Sequence, residues 1–515
     1  MAVAGAWAIP WISRGSDIYA HLVWTHQAMR CLAAGQLPLW APDMNAGFGS
    51  PGIRLYSPAT PALAAVLGLP PGDAAAGLRA ALALAVVALA AVASRREHAT
   101  LMVGVVVLSG PVMAALWVSA AWGHLLALPL VVWMLERWTA AEDPSGPIAV
   151  DAVALAVLWL LHALSAAMTV ALLAVAAVLR ERPLLAVARL AGALGVGAAL
   201  TAWHWLPLAG ELRLTSGHRG LTEGIFDVAR NWLGSPTAHM PALNRAQSAA
   251  AVVLGIVALA VVAVSRRLPS RERRARLGVV GACLALSSVA AVPLVRLGLP
   301  LDWIQFPWRW LTPAVAVMAR PLAAAVRHRP SWLLLWLAPL IVVPWVAPVR
   351  APHLGPRVTW PEAGQLVTAI DGNPLLVDVI EHRPPWYDGL AAEIQRFGGR
   401  RVVTEPPGPA RVVRWRPLDR EVDVVAAEPS VVRLRLMRYP GWELTVDGRP
   451  AAPLGDAAAV AVPVGPGAHR LRARWRGNPL AGTGLALAAA AALGLALLRA
   501  RRCGGALLSS ARSSS

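Results

Sequence analysis

The sequence predicts a polytopic α-helical membrane protein with about 11 to 13 transmembrane helices and an external β-sandwich-like domain near the C-terminus. Of its 515 residues, 57% are hydrophobic and only 15% are charged, and the mean hydropathy is +0.55. Apolar runs recur along the chain, whereas residues 350–478 have ordinary charge content and strand-like alternation. A chain this apolar is unlike an ordinary soluble globule, so the bilayer is its main solvent.

The apolar runs are long enough, or nearly long enough, to cross a hydrocarbon core that needs about 20 residues. They cover residues 60–93, 99–117, 122–138, 148–179, 184–208, 249–264, 277–295, 311–326, 331–349 and 480–498. The run 148–179 is most simply two helices that turn near His162 and Ser165. The apolar first 13 residues are too short to span, so either the first span is a stub or the natural chain begins upstream of Met1.

Charge sets the orientation of these predicted helices. The formal net charge is +19, no lysine occurs, and the arginines lie in short clusters between apolar runs. If crossings alternate, all these clusters share one side, and short loops that retain arginine are cytoplasmic. The clusters are residues 95–96, 180–182, 266–276, 327–329 and 499–502. This pattern explains the charge without nucleic acid, which we exclude as a partner.

The resulting domain prediction places a multi-span transmembrane domain at residues 1–349, with external loops at 13–59, 209–247 and 296–310. An extracytoplasmic β-rich domain follows at 350–478, then a final transmembrane helix at 479–498 and a cytoplasmic tail at 499–515. The predicted location is the cell membrane, where lipids surround the protein.

Period-two alternation predicts the strands of the β-rich domain. Residues 470–476 alternate arginine with Leu471, Ala473 and Trp475, as expected for a strand with one solvated face, and residues 431–438 repeat the pattern. Asp447-Gly448 lies between two such runs and is typical of a hairpin turn.

Several catalytic classes lack their motifs in this chain. No Walker loop, dinucleotide fingerprint, zinc-ligand spacing or serine-nucleophile elbow occurs in the sequence. Cys31, Cys283 and Cys503 are odd in number and fall in unrelated segments, so they predict neither a disulfide framework nor a metal cluster. We therefore predict no metal ligands and find no support for ATP-driven transport.

Three segments resemble known families of membrane proteins. Asp17 with His21, the stretches 38–40 and 47–51, and residues 305–310 resemble the membrane proteins related to 6-pyruvoyl-tetrahydropterin synthase. Residues 438–448 and 463–469 are similar to the C-terminal part of the YfhO-like proteins. Both groups are placed by resemblance among the GT-C glycosyltransferases, which transfer a sugar from a polyprenyl-phosphate carrier.

The resemblance implies a GT-C-like fold and a glycosyltransferase that uses a polyprenyl-phosphate-linked sugar and an envelope glycan or polymer as acceptor. It assigns the catalytic acid of the first external loop to Asp17, our candidate general base, which His21 one helical turn away would orient. Ser16 precedes Asp17 where a second acid is often found, and Asp43 is distant, so dependence on a divalent metal, Mg or Mn, stays open.

Arginine clamps phosphate through paired donors, so Arg309 is the candidate for binding the departing lipid phosphate. The remaining candidate substrate-binding residues are aromatic, amide or imidazole side chains of predicted external segments. They are Trp40, Tyr56, His124, His162, Gln305 and Trp308.

Structural roles compete with each of these assignments. Asp17 would serve as a helix cap, Arg309 with Trp308 and Trp310 as an interfacial anchor, and the histidines as packing residues. For the whole protein, the alternatives are a lipid or glycan transporter or flippase, and a noncatalytic envelope scaffold with a glycan-binding β-domain.

Overall fold

The computed structural model describes most of the chain. The described residues are 11–12, 16–55, 57–69, 72–94, 99–107, 109, 112, 121–140, 147–211, 214–215, 228–235, 241–264, 268–297, 301, 304, 306–328, 358–359, 383–455 and 457–513. Over these ranges the protein is mostly helical, with a small antiparallel sheet domain near the C-terminus.

Apolar sequence forms long helices through most of the first 328 residues and again after the sheet domain. The longer helices are α1 (Ser16–Ala33), α2 (Ala59–Gly68), α3 (Ala74–Ser94), α4 (Ala99–Val107), α5 (Trp122–Thr139), α6 (Ile148–Leu161), α7 (Ala163–Val178), α8 (Pro183–Leu200), α9 (Ala202–Glu211), α10 (Pro241–Val264), α11 (Ser270–Ser287), α12 (Leu311–His328), α13 (Leu390–Phe397) and α14 (Leu480–Ser513). Short helical turns lie at Met44–Gly47, Gly52–Leu55, Val228–Asn231, Val289–Ala291, Val292–Arg296, Pro307–Trp310 and Tyr387–Gly389.

Within the described ranges, three helices are long and apolar enough to cross a membrane. They are Ala74–Ser94, Pro183–Leu200 and the segment Leu480–Ala500 of α14. Shorter apolar helices cover Ala59–Gly68, Ile148–Leu161, Ala163–Val178 and Ala251–Val261. The predicted spans at 1–13 and 331–349 fall almost entirely outside the described residues, and the predicted total of 11 to 13 crossings stays a prediction.

The apolar run 60–93 does not form a single helix, and its second part, Ala74–Ser94, is the segment long enough to span. The structure divides it into α2 and α3, joined by a turn in which Gly72 has a φ of +69°. Helix α2 packs so closely on α3 that a Cβ on Gly77 would lie 2.1 Å from the carbonyl oxygen of Ala64. The sequence Pro70-Pro71-Gly72 interrupts the run, because proline lacks the amide proton that helix continuation needs.

The predicted break near His162 is confirmed, since His162 alone separates α6 from α7. At the far end of this hairpin, Arg137 Nε donates to Asp151 Oδ1 at 2.9 Å. Arg180, just beyond α7, donates to the carbonyl of Trp138 at 2.6 Å. The start of α6 and the end of α7 therefore both lie at the end of α5, so α6 and α7 run antiparallel.

A buried ion-pair network ties α5, α11 and α12 together. Arg276, which is 1% exposed, donates from both terminal nitrogens to the two carboxylate oxygens of Glu136, at 2.7 and 2.9 Å. The same guanidinium donates from Nε to Glu272 at 2.8 Å and from Nη1 to the carbonyl of Val317 at 2.5 Å. Arg276 belongs to the basic cluster that we interpreted as an orientation signal, and it is also a structural link.

The β-domain consists of two antiparallel sheets that enclose a common hydrophobic cluster. The sheets have the strand orders β4-β5-β10-β7-β8 and β3-β6-β9. Their strands are β3 (Val402–Glu405), β4 (Ala410–Arg416), β5 (Asp419–Ala426), β6 (Ser430–Met437), β7 (Trp442–Val446), β8 (Arg449–Ala451), β9 (Ala459–Val464) and β10 (Gly467–Trp475). A separate pair, β1 (Trp11–Ile12) with β2 (Val358–Thr359), is also antiparallel.

The strand predictions are confirmed by β6 and β10. In β10, Leu471, Ala473 and Trp475 are buried while the intervening arginines lie on the other face. The predicted hairpin turn joins β7 to β8, with φ of 53° at Asp447 and 77° at Gly448. Helix α14 covers the predicted final span and continues through the predicted tail to Ser513.

Breaking the buried network should destabilise the helical part of the chain. Glu136→Ala leaves Arg276 buried with fewer partners, and removing one member of a buried ion pair costs about 3–5 kcal/mol. We expect a loss of this order in the free energy of unfolding, measured by detergent-induced unfolding. Glu181→Ala, which removes a half-exposed pair with Arg271, should cost under about 1 kcal/mol. Equal losses in the two variants would contradict this assignment.

The contact between His469 and Asp447 should make β-domain stability depend on pH. His469 Nδ1 lies 2.8 Å from Asp447 Oδ2, and Nε2 lies 2.9 Å from the carbonyl oxygen of Gly465. Because both ring nitrogens face acceptors, chiefly Asp447, the pKa of His469 is raised above its usual value. A raised pKa stabilises the fold below the unfolded value near ~6.5, and this contribution is lost as pH rises through the folded pKa.

Wild type should therefore exceed His469→Gln in thermal stability by more at pH 5.5 than at pH 8.5. Thermal unfolding of the full chain in detergent at both pH values measures the difference. The same advantage at both pH values would show that the imidazolium form is not the stabilising one.

Candidate functional site

Four of the predicted site residues come together in the structure. His21 lies on α1, His124 on the first turn of α5, His162 between α6 and α7, and Arg309 on the turn before α12. All four are at most 6% exposed. We call these four side chains, with Ser165, the imidazole cluster.

Ser165 connects two of the histidines. Its hydroxyl oxygen lies 2.7 Å from Nδ1 of His124 and 2.7 Å from Nδ1 of His162. The backbone N–H of Ser165 also donates to Nδ1 of His162 at 3.0 Å, which caps α7. The two imidazole rings meet edge to face, with centroids 5.7 Å apart.

Gly123 permits this close approach. A Cβ at that position would lie 2.9 Å from Cδ2 of His162 and 3.1 Å from the carbonyl oxygen of Leu161. The start of α5 can therefore pack directly against the break between α6 and α7, and the glycine preceding His124 is the sequence signal for this contact.

Arg309 supplies the positive charge of the imidazole cluster. Its charge acts on His21, His124 and His162 alike. The guanidinium carbon lies 5.1 Å from the ring centroid of Phe306, within cation–π range. Trp308 and Trp310, at 4% and 2% exposure, are buried inside the protein, which does not fit the interpretation of this segment as an interfacial anchor.

Three further candidates cannot be placed in the site by their side chains. Asp17 lies on α1, one helical turn before His21, but its side chain is outside the described residues. Gln305 and Tyr56 also lie outside them. Asp17 therefore stays a sequence-based candidate whose backbone position is next to the imidazole cluster.

Trp40 has a different position from the predicted substrate site. It is fully buried in the hydrophobic core of the β-domain, with its ring 5.2 to 5.9 Å from those of Tyr439, Trp442 and Trp475. No contact among the described residues joins Trp40 to the imidazole cluster. Its aromatic surface is used for packing, because the loop that carries it lies against the strands.

Backbone and side-chain hydrogen bonds fix this loop on the β-domain. The amide of Met437 donates to the carbonyl of Phe48 at 2.7 Å, and Arg435 Nε donates to the carbonyl of Ala46 at 2.6 Å. The hydroxyl of Tyr387 donates to Asn45 Oδ1 at 2.9 Å. The loop therefore connects the helical part and the β-domain, a contact that the prediction of an external loop at 13–59 did not include.

Sequence reasoning also missed a buried carboxylate at the junction of the two parts. Glu211, at the end of α9, is 2% exposed and forms an ion pair with Arg54 of the loop. Tyr439 donates its hydroxyl to Glu211 at 2.9 Å, and Asn478 donates to it at 3.2 Å. Arg54, in a loop rich in aromatic residues, was the sequence signal for a buried ion pair. Nothing in the sequence identified Glu211 as its partner.

No protein-family model matches the chain, and comparison with the curated proteins finds no match. Within the ranges that the structure describes, no group of three or more His, Cys, Asp or Glu side chains is arranged to hold a metal ion.

Gly49 should be essential for seating the loop on the β-domain. Its φ is +82°, and a Cβ there would lie 2.0 Å from Nε1 of Trp40. Gly35 has a φ of +68° but nothing within 4 Å of its Cβ position, so it is the matched control. Gly35→Ala should cost about 1–2 kcal/mol for its backbone conformation.

Gly49→Ala should cost more than Gly35→Ala, because it adds a clash with a buried indole to the same backbone cost. Thermal unfolding and limited proteolysis within residues 34–58 measure the two effects. If the loop is equally resistant to protease in Gly49→Ala and Gly35→Ala, Trp40 does not determine how the loop packs on the β-domain.

Proposed function

We propose that the protein is a polytopic GT-C-like membrane glycosyltransferase that moves a sugar from a polyprenyl-phosphate donor to an extracytoplasmic envelope acceptor. The observation that carries the proposal is the imidazole cluster itself: a buried arginine gathered with three histidines at the ends of four helical segments. The resemblance of Asp17 with His21, and of residues 305–310, to GT-C-related families supplies the reaction class.

Contacts between helix ends support the alternating topology. His21, His124, His162 and Arg309, which the charge pattern assigns to external helix ends, lie together. Residues assigned to cytoplasmic ends also meet each other, as in the pair of Glu136 with Arg276. Alternating helices bring like ends together in this way, so the contacts favour an outward-facing imidazole cluster and an external β-domain.

The chemistry of the imidazole cluster suits transfer from a lipid phosphate. Breaking the bond between the anomeric carbon and the phosphate oxygen places a second negative charge on the departing phosphate. A guanidinium in a desolvated site stabilises that charge through paired hydrogen bonds. Arg309 would fill this role, and Asp17 remains the sequence-based candidate for the base that receives the proton of the acceptor.

A divalent ion, Mg or Mn, would assist the same charge separation. Asp17 and Asp43 are acidic residues of the first predicted external loop, and Gln27 links Asp43 to α1 by donating to it at 3.4 Å. Chelation of divalent ions during the transfer assay is the direct test of this requirement.

Binding of polyprenyl phosphate should depend on Arg309. We expect Arg309→Ala to abolish saturable binding of undecaprenyl phosphate to the protein in nanodiscs, measured by native mass spectrometry. Arg309→Lys should weaken binding less, because it keeps the charge but loses the paired donors. Arg271→Ala, at the opposite helix ends, is the control and should bind as wild type does.

The rate of sugar transfer should rank the Arg309 variants in the same order as undecaprenyl phosphate binding does. With radiolabelled polyprenyl-phosphate hexoses and the cell-envelope fraction as acceptor, Arg309→Ala should lower the rate by about 10²–10³-fold. Asp17→Ala tests the sequence-based base in the same assay. Wild-type protein that neither binds undecaprenyl phosphate nor transfers any label would overturn the proposed function.

A further inference from the structure

Two ring nitrogens of the imidazole cluster, Nε2 of His124 and Nδ1 of His21, have no hydrogen-bond partner among the described residues. Nε2 of His124 is buried and has no hydrogen-bond partner among the described residues, although the side chain is only 2% exposed. Leaving such a group unpaired costs free energy of folding, because its hydrogen bond to water is lost and not replaced. A ligand that hydrogen-bonds to this nitrogen would recover the cost.

Hydrogen-bond accounting determines which proton His124 carries. Nδ1 of His162 accepts the backbone N–H of Ser165 at 3.0 Å, so this nitrogen holds a lone pair. The Ser165 hydroxyl, 2.7 Å away, must then donate to the same nitrogen. Because the hydroxyl has one proton, its oxygen accepts from Nδ1–H of His124 at 2.7 Å. Neutral His124 protonated at Nδ1 presents a lone pair at Nε2.

We propose that His124 is the catalytic base of the transfer, receiving the proton of the acceptor hydroxyl at Nε2, with Ser165 and His162 as positioning residues. This inference rests on the proposed function. The hydroxyl oxygen forms a bond to the anomeric carbon, and the bond from that carbon to the phosphate oxygen breaks. Its electron pair leaves with polyprenyl phosphate beside Arg309, and the hydroxyl proton stays on His124.

A base must be held in one orientation by a further group, and His124 meets this requirement. Its ring is fixed by the hydrogen bond to Ser165 of α7. Arg309, on the turn before α12, lies near it. His21 also has a buried nitrogen, Nδ1, without a partner among the described residues. Its ring packs edge-on against Trp24 with a centroid distance of 5.8 Å, but no described side chain fixes its tautomer as Ser165 does for His124.

The experiment compares His124→Gln, Ser165→Ala and Asp17→Asn in the labelled-hexose transfer assay, with undecaprenyl phosphate binding measured on the same preparations. His26→Gln, which removes a half-buried imidazole from α1, is the matched control. A general base contributes typically 10²–10⁴-fold, so His124→Gln should lose at least about 100-fold in kcat/KM. It should still bind undecaprenyl phosphate, which shows that the variant is folded.

The pH profile distinguishes a base from a packing residue. The charged or titratable groups that face His124 are His162 from the α6–α7 break and Arg309 from the turn before α12, while His21 from α1 faces His162. The wild-type rate should fall at low pH as the base becomes protonated, and His124→Gln should lose this limb from its residual rate. Ser165→Ala should shift the limb while keeping more activity than His124→Gln.

Two outcomes would overturn the inference. If His124→Gln keeps at least half the wild-type rate while Asp17→Asn loses transfer, the base is Asp17 and the transferase proposal survives. If wild type shows neither transfer nor undecaprenyl phosphate binding, the proposed function and this inference fall together. Loss of transfer and of the acid limb in His124→Gln, with binding retained, supports the assignment.

Discussion

The arrangement of the helical part and the β-domain depends on the hydrogen bonds and the ion pair that the Glu211 carboxylate forms. A buried carboxylate is costly unless charged and polar donors surround it. Glu211 has three such donors, and they come from the first loop, from the strand connection after β6 and from the start of α14: Arg54, Tyr439 and Asn478. One desolvated charge on α9 therefore requires the loop, the β-domain and the last helix to be in place together.

This junction is connected to α6, the helix that ends beside the imidazole cluster. His204, on the same helix as Glu211, lies 2.9 Å from the carbonyl oxygen of Arg54 and accepts from Trp159 at 3.1 Å. Trp159 belongs to α6, which ends at the residue before His162. Because Trp159 donates to Nδ1, His204 must carry its proton on Nε2 and donate it to Arg54. The packing of the β-domain is thus linked, through His204 and Trp159, to α6, which ends beside the imidazole cluster.

The sequence predicted most reliably the features that depend on local pattern. Period-two alternation located β6 and β10, and Asp447-Gly448 located their neighbouring hairpin, because these signals need no distant partner. The apolar length of residues 60–93 did not reveal their division into α2 and α3, which Pro70-Pro71-Gly72 indicates. The pairing of Glu136 with Arg276 spans 140 residues of sequence, and that of Arg54 with Glu211 spans 157, so no local pattern predicted them. Four members of the imidazole cluster were sequence candidates, His21 and Arg309 from resembling segments and His124 and His162 from their predicted external positions. No sequence signal indicated the bridging role of Ser165.

The two polar centres among the helices differ in how completely they are satisfied. Around Arg276, both oxygens of Glu136 receive donors and the guanidinium is shared among carboxylates and a carbonyl, so the network is explained by stability alone. In the imidazole cluster, Nε2 of His124 and Nδ1 of His21 have no partner within the described structure. Burying such nitrogens in a low-dielectric interior opposes folding, and hydrophobic residues would fill the same space without that cost. A ligand that bonds to these nitrogens would offset that cost, in line with the role that we propose for His124.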